Sequence, residues 1–287
     1  MTPWDDAMSP EGDALALPQA PEAHLRQLLR RIRETLREHY GLTNVRIRPL
    51  GGGASRFSLP CQLIGTHGGR RIPLFAKIVG TSDLLTVVAS QFIKNMYLTM
   101  NAKDSLFDVP TSALEVAEYQ SDTLARMRKL GLNTARPLGF HPLDGVRVLL
   151  VTEWIEGTPL SRTTVTPQMM ESAFGQLAAL HRGGVQHGDL KSDNIMVGPT
   201  GKVFLLDVAR FRESAPVRAR EAYDLACLMC TMAQYQSSDA VIAAASKNFD
   251  PGRLQTSAEY LGLVRRRPDF YLTDLIAERL RNGLRRR

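Results

Sequence analysis

Val185-Gln-His-Gly-Asp-Leu-Lys-Ser-Asp-Asn-Ile-Met-Val197 is the stretch on which the reading of this chain turns. It follows an apolar helical run, Leu177-Ala-Ala-Leu-His-Arg182, and precedes Val203-Phe-Leu-Leu-Asp207, an apolar strand ending in a carboxylate. Asp189 and Asn194 stand five residues apart on one polar loop, and Asp207 follows thirteen residues later. Phosphoryl transfer from ATP needs a carboxylate to orient the acceptor hydroxyl, and oxygen ligands to hold Mg²⁺ on the phosphates. Asp189 fits the first role, and Asn194 and Asp207 fit the second. A lone His-Gly-Asp tripeptide would carry little weight. The same tripeptide followed by Lys191, Asn194 and a strand ending in Asp outweighs the plain alternative, a polar turn between two hydrophobic elements.

This arrangement resembles the catalytic loop and metal-binding strand of the protein-kinase-like superfamily. The resemblance covers roughly residues 50–232. It implies an α+β, bilobal protein-kinase-like fold, with a small β-rich N-lobe carrying extra helices and a short, mainly helical C-lobe. The expected organisation is a disordered tail over 1–20, an N-lobe with an N-terminal helix and an inserted helix over 21–155, and a reduced C-lobe with a basic C-terminal helix over 156–287.

Upstream, alternation in Asn44-Val-Arg-Ile-Arg-Pro-Leu50 predicts a strand, followed by Gly51-Gly-Gly-Ala-Ser-Arg-Phe-Ser-Leu59. Glycines let backbone N–H groups approach a phosphate without side-chain obstruction. A triple glycine alone is an ordinary hairpin turn. Here it lies one hairpin before Phe75-Ala-Lys77, so the resemblance assigns Gly51, Gly52, Gly53 and Ser55 to the nucleotide loop and Lys77 to the α- and β-phosphates. Ser82 to Asn101 reads as an added helix, and Thr111 to Leu130 as the family's C-helix. That helix supplies a glutamate to pair with the lysine. Ser112-x-x-Glu115 has capping-box spacing, which makes Glu115 structural. Glu118 is the choice for the ion pair, and Gln120, nearer the centre of the apolar face, cannot form one. Arg147 to Gly157 reads as a buried strand entering a lobe-connecting hinge. By resemblance Thr152 backs the adenine pocket, and the backbones of Glu153 and Ile155 meet the adenine edge. Lys191 takes the family's charge-stabilising position.

Two departures matter. Gly188 stands where many protein kinases have the arginine that docks a phosphorylated activation loop, so no such switch is expected. Only sixteen residues separate Asp207 from Asp224, too few for an activation segment with a peptide platform. Asp224, opening an apolar helix, resembles the aspartate that braces the catalytic loop. The short C-lobe is similar to RIO and Kae1-associated kinases, lipopolysaccharide-sugar kinases and aminoglycoside-phosphotransferase-like enzymes. The implied activity is Mg²⁺/ATP-dependent transfer to a hydroxyl of a small molecule, glycan or protein, and the basic surface would suit an anionic acceptor. The rival readings are a nucleotide-binding pseudokinase scaffold, which should lack one of these groups, and a RIO-like kinase associated with nucleic acid, which is not favoured.

Length and composition suit one two-lobed domain or two small domains: 287 residues, 44% hydrophobic, formal charge +7. No uninterrupted apolar run of about eighteen residues predicts a transmembrane helix. The acidic, proline-containing N-terminus does not read as a secretory signal. Three cysteines build no disulfide framework, which points to a reducing, cytoplasmic setting. Cys227 and Cys230 sit in an apolar helical stretch and read as core rather than zinc ligands. Arginines at 26, 30, 31, 33 and 37 lie opposite an apolar stripe of Leu25, Leu28, Leu29, Ile32 and Leu36, and so read as a solvated face. The runs at 265–267 and 285–287 could equally be solvated or meet an acidic partner.

Overall fold

In the computed structural model, residues 20–50, 59–101, 103–267 and 269–286 are described. The expected tail and the loop bearing Gly51, Gly52, Gly53 and Ser55 lie outside them; Ala20 is already the first residue of a helix.

That helix, α1 (Ala20–Tyr40), buries Leu28, Ile32 and Leu36 and leaves Leu25 exposed, so the apolar stripe is narrower than its sequence suggested. It packs on β1 (Thr43–Pro49). β2 (Leu59–His67), β3 (Arg70–Val79), β4 (Pro137–Pro142) and β5 (Val148–Glu153) complete an antiparallel sheet of order β1-β2-β3-β5-β4. β3 is central, with Lys77 opposite Pro60 on one side and Leu150 on the other. Strand side chains alternate between faces. Leu74, Ala76 and Ile78 therefore enter the core shared with α1, while Val79 joins Ala113, Ala117, Val148 and Leu150 on the opposite face. Lys77 shares the parity of Val79, and that puts it on the face covered by α3 (Ala113–Lys129).

The inserted helix α2 (Thr81–Met100) precedes α3. Ser112 caps α3 by accepting from Glu115 N at 3.1 Å, and the Glu115 carboxylate accepts from Thr111 N at 2.8 Å, so Glu115 is a capping residue as expected.

The helical lobe comprises α4 (Pro167–Arg182), α5 (Val217–Met232), α6 (Ser238–Ser246), α7 (Pro251–Ala258), α8 (Leu261–Arg265) and α9 (Asp274–Arg285). A second small sheet joins β6 (Thr158–Pro159), β7 (Ile195–Val197) and β8 (Val203–Leu205). Cys227 and Cys230 are fully buried in α5, where burial pushes the Cys227 thiol up to about 12. Leu98, Phe107, Leu124 and Met127 belong to the helical core as well, so packing crosses residue 155 even though the large sheet does not. No helix among the described residues is long and apolar enough to cross a membrane.

Candidate active site

β7 and β8 bring the loop and the strand end together. Ile195 pairs with Leu205, and one step outward Leu206 N donates to Asn194 O at 2.8 Å. Asn194 Nδ2 then donates to the backbone O and to Oδ2 of Asp189, both at 2.8 Å, and to Asp207 O at 3.3 Å. The side chain that links the two aspartates thus leaves its Oδ1, the atom a cation would use, outside these bonds. Asp207 sits in the left-handed region at φ 58°, an uncommon conformation for a side chain other than Asn or Asp, and one often found at functional sites.

Lys77 Nζ reaches Asp207 Oδ1 at 2.7 Å. The same oxygen accepts from Gln120 Nε2 at 3.0 Å, and Gln120 also donates to Val208 O. Glu118 is exposed on α3. The choice between the two residues is therefore corrected: α3 offers the Lys77–Asp207 pair a neutral carboxamide, and Glu118 points elsewhere. With Asp207 already paired to the lysine, a second carboxylate on the same face would have met a like charge.

The loop is braced from below. Asp224, fully buried in α5, accepts from the backbone N–H of His187 and of Gly188, each at 2.7 Å, as its resemblance implied. Thr231 donates to Leu190 O at 2.6 Å. Gly188 has φ 78°, and a Cβ there would stand 2.5 Å from Ala209 O. This glycine therefore does more than omit an arginine. It lets the loop and the segment after Asp207 touch backbone to backbone, with Ala209 N donating to His187 O at 2.8 Å.

Four groups around Asp189 went unrecognised in the sequence. Arg267, buried just past α8, bonds Asp189 Oδ1 through Nη2, Asp269 through Nε at 2.9 Å, and the Tyr223 hydroxyl through Nη1 at 3.0 Å. Lys191 lies 3.5 Å from both Asp189 and Asp269. Lys94, from α2, stands 4.0 Å from Asp189 and 4.8 Å over the Phe107 ring. Burial alone would raise the Asp189 pKa, but Arg267, Lys191 and Lys94 together hold its carboxyl well below the usual carboxylate range. Desolvation, helped by Arg267, brings Lys94 down to about 8. Arg267 was hidden in a run of three arginines that read equally as solvated or as meeting an acidic partner. Lys94 was hidden in α2, where its being the helix's only basic residue was the available signal.

A cavity of about 760 Å³ lies over these groups, lined among others by Lys77, Lys94, Gln120, Asp189, Lys191 and Asp207. Thr152, Glu153 and Ile155 are not in its wall. Thr152 is buried, with its hydroxyl donating to Glu153 O at 3.1 Å, and Glu153 N donates to Arg136 O at 2.9 Å. Of the two Glu153 backbone groups, only the carbonyl could meet an adenine edge. Asp207 and Asn194 offer oxygen donors alone, a carboxylate and a carboxamide. Such a pair suits a hard divalent cation that keeps water and phosphate oxygens in its shell.

The sequence model of the lipopolysaccharide kinase (Kdo/WaaP) family matches residues 90–248, more than half of the chain. The chain belongs to this family. This family is part of the protein-kinase-like superfamily, in keeping with the small antiparallel sheet and helical lobe seen here. Similarity extends to a protein described as putative cyclin-dependent kinase F-2 of Oryza sativa subsp. japonica, 32% identical over 78 residues, which covers 23% of this chain and 24% of the relative. The chain thus spans about a quarter of the length of the curated relative it matches. Within this Kdo/WaaP-family chain, the matched span holds Lys94, Gln120, Asp189, Asn194 and Asp207, whereas Lys77, Arg267 and Asp269 lie outside it.

Proposed function

We propose that this chain is an Mg²⁺- and ATP-dependent kinase that transfers the γ-phosphoryl group to a sugar hydroxyl of a lipopolysaccharide-type glycan, acting from the ATP-containing cytoplasm. The observation that carries this reading is the convergence of Lys77, Asp189, Lys191 and Asp207 on one cavity, with Asn194 bonded to both aspartates. The family supports the glycan as acceptor.

In this reading Asp189 orients the acceptor hydroxyl. The acceptor oxygen forms the bond to the γ-phosphorus while the β,γ-bridging oxygen leaves with its electron pair on ADP, and the hydroxyl proton passes to the Asp189 carboxylate. A carboxylate held at low pKa is a weak base, which suits a loose transition state in which the proton is lost late. Lys191, beside Asp189, offsets charge on the phosphoryl oxygens. Asn194 and Asp207 would hold Mg²⁺, which when bound neutralises and aligns the phosphates. Lys77, now on Asp207, would turn to the α- and β-phosphates. The intact set of groups disfavours a pseudokinase scaffold.

The test is label transfer from γ-labelled ATP to purified lipopolysaccharide, with Asp189→Asn as the control. That variant keeps the size of the side chain but cannot take the proton. Turnover should fall about 10²–10⁴-fold, with ATP affinity by calorimetry nearly unchanged. Label appearing only on protein, or full turnover by Asp189→Asn, would overturn the reading.

A further inference from the structure

A second cavity, of about 610 Å³, lies between the end of α2, the α7–α8 corner and α9. Tyr97, Leu263 and Arg266 line both it and the cavity over Asp189, so the two are neighbours across a single wall. Its charge is one-sided. Lys103 is neutralised by Glu259. Arg266 stacks over the Tyr97 ring at 4.8 Å, and Arg281 lies against the backbone of Gly262, its Nη2 3.5 Å from where a Cβ would stand. Arg285 completes the set.

None of these three guanidiniums has an acidic partner among the described residues. Asp274 is engaged by Arg265, Asp269 by Arg267 and Lys191, and Glu259 by Lys103, while Asp104 acts on Tyr260 and neither it nor Glu278 of α9 forms an ion pair with these arginines. Three unpaired guanidiniums around one concavity are suited to a phosphate, whose oxygens accept their forked N–H groups.

Resting on the kinase reading above, we propose that this second cavity binds a phosphate group already carried by the acceptor, away from the hydroxyl that reacts. The substrate class is then narrower than a glycan: it is an extended acceptor bearing a phosphate. Arg266, in both walls, would lie between the bound phosphate and the reacting end.

The test uses the full chain with Mg²⁺ and a non-hydrolysable ATP analogue filling the nucleotide cavity. Inorganic phosphate is titrated while the Nε–H signals of Arg266, Arg281 and Arg285 are followed by NMR. Saturable shifts of these signals are expected, and Arg281→Gln with Arg285→Gln should weaken phosphate binding by about tenfold or more. The analogue's affinity should stay within about twofold, and Arg281→Lys with Arg285→Lys should retain part of the phosphate binding. Equal phosphate binding by wild type and the Gln variant, or a parallel loss of analogue affinity, would overturn the proposal. A hexose phosphate and phosphatidic acid vesicles then separate the sources. Competition by the first assigns the phosphate to a sugar, competition by the second assigns it to a lipid headgroup, and competition by neither counts against the site. Failure of the wild type to bind the analogue would instead sink the kinase reading, and the phosphate titration without analogue would still report on this cavity.

Discussion

At Gly188 a single missing side chain has two consequences, and only one was legible beforehand. The absence of an arginine could be read directly from the loop. The need for a glycine could not, because it arises from the carbonyl of Ala209, which lies 2.5 Å from where a Cβ would be and twenty-one residues away in sequence. Gly188→Ala should therefore cost about 2 kcal/mol or more, from the positive φ and the clash together, read as a lowered denaturation midpoint. Gln120 teaches a related lesson. Helical spacing put it nearer the buried face than Glu118, but ranking by charge selected the wrong residue, since the lysine's partner comes from Asp207. Lys94 offers a pH test. Its folded pKa of about 8 lies below the ordinary 10.5, so between those values the unfolded chain binds the extra proton. Its contribution to stability consequently rises with pH across that window, as the cost of burying its charge is relieved. Chemical denaturation at pH 8 and at pH 10 should show this rise in the wild type, and Lys94→Met should flatten it.

Among the elements, those with a strong period or a clear cap were legible. The helical run Leu177 to Arg182 closes α4, whose start Thr166 and Pro167 mark, and α2 and α3 were expected within two residues of their ends. β4 escaped notice because Pro137-Leu-Gly-Phe-His-Pro142 holds a glycine and two prolines, which argue against a strand until β5 pairs with it. The segment after Asp207 is the element on which regulation would act. Asp108 N donates to Arg210 O at 3.2 Å, Arg212 N to Leu106 O at 2.8 Å, and Arg210 pairs with Asp108 at 2.9 Å. These bonds hold the segment in place with no phosphate present. Phosphatase treatment, and the substitutions Ser214→Ala and Ser214→Asp at its exposed serine, should accordingly leave turnover within about twofold of wild type in a label-transfer assay. A large loss on treatment would show that the tether does not suffice.

Over the whole molecule, charge was the least legible property. Arg265, Arg266 and Arg267 read as one patch, but adjacent residues on a helical turn point about 100° apart. One pairs with Asp274, one stacks on Tyr97, and one turns inward to Asp189. The formal charge of +7 thus describes no single surface. The inward turn also has a bearing on biosynthesis. A chain emerges from the ribosome N-terminus first, and Arg267 is made after every residue of the family-matched span. A nascent chain stalled before that residue has Lys77, Asn194 and Asp207 outside the exit tunnel, yet its Asp189 carboxylate still lacks the guanidinium that fixes it. Ribosome-bound chains stalled with residue 264 fully exposed should be inactive toward acceptor, and those exposing residue 286 active, as followed by label transfer on isolated complexes. On the proposed reading, label transfer would then begin only once Arg267 has left the exit tunnel.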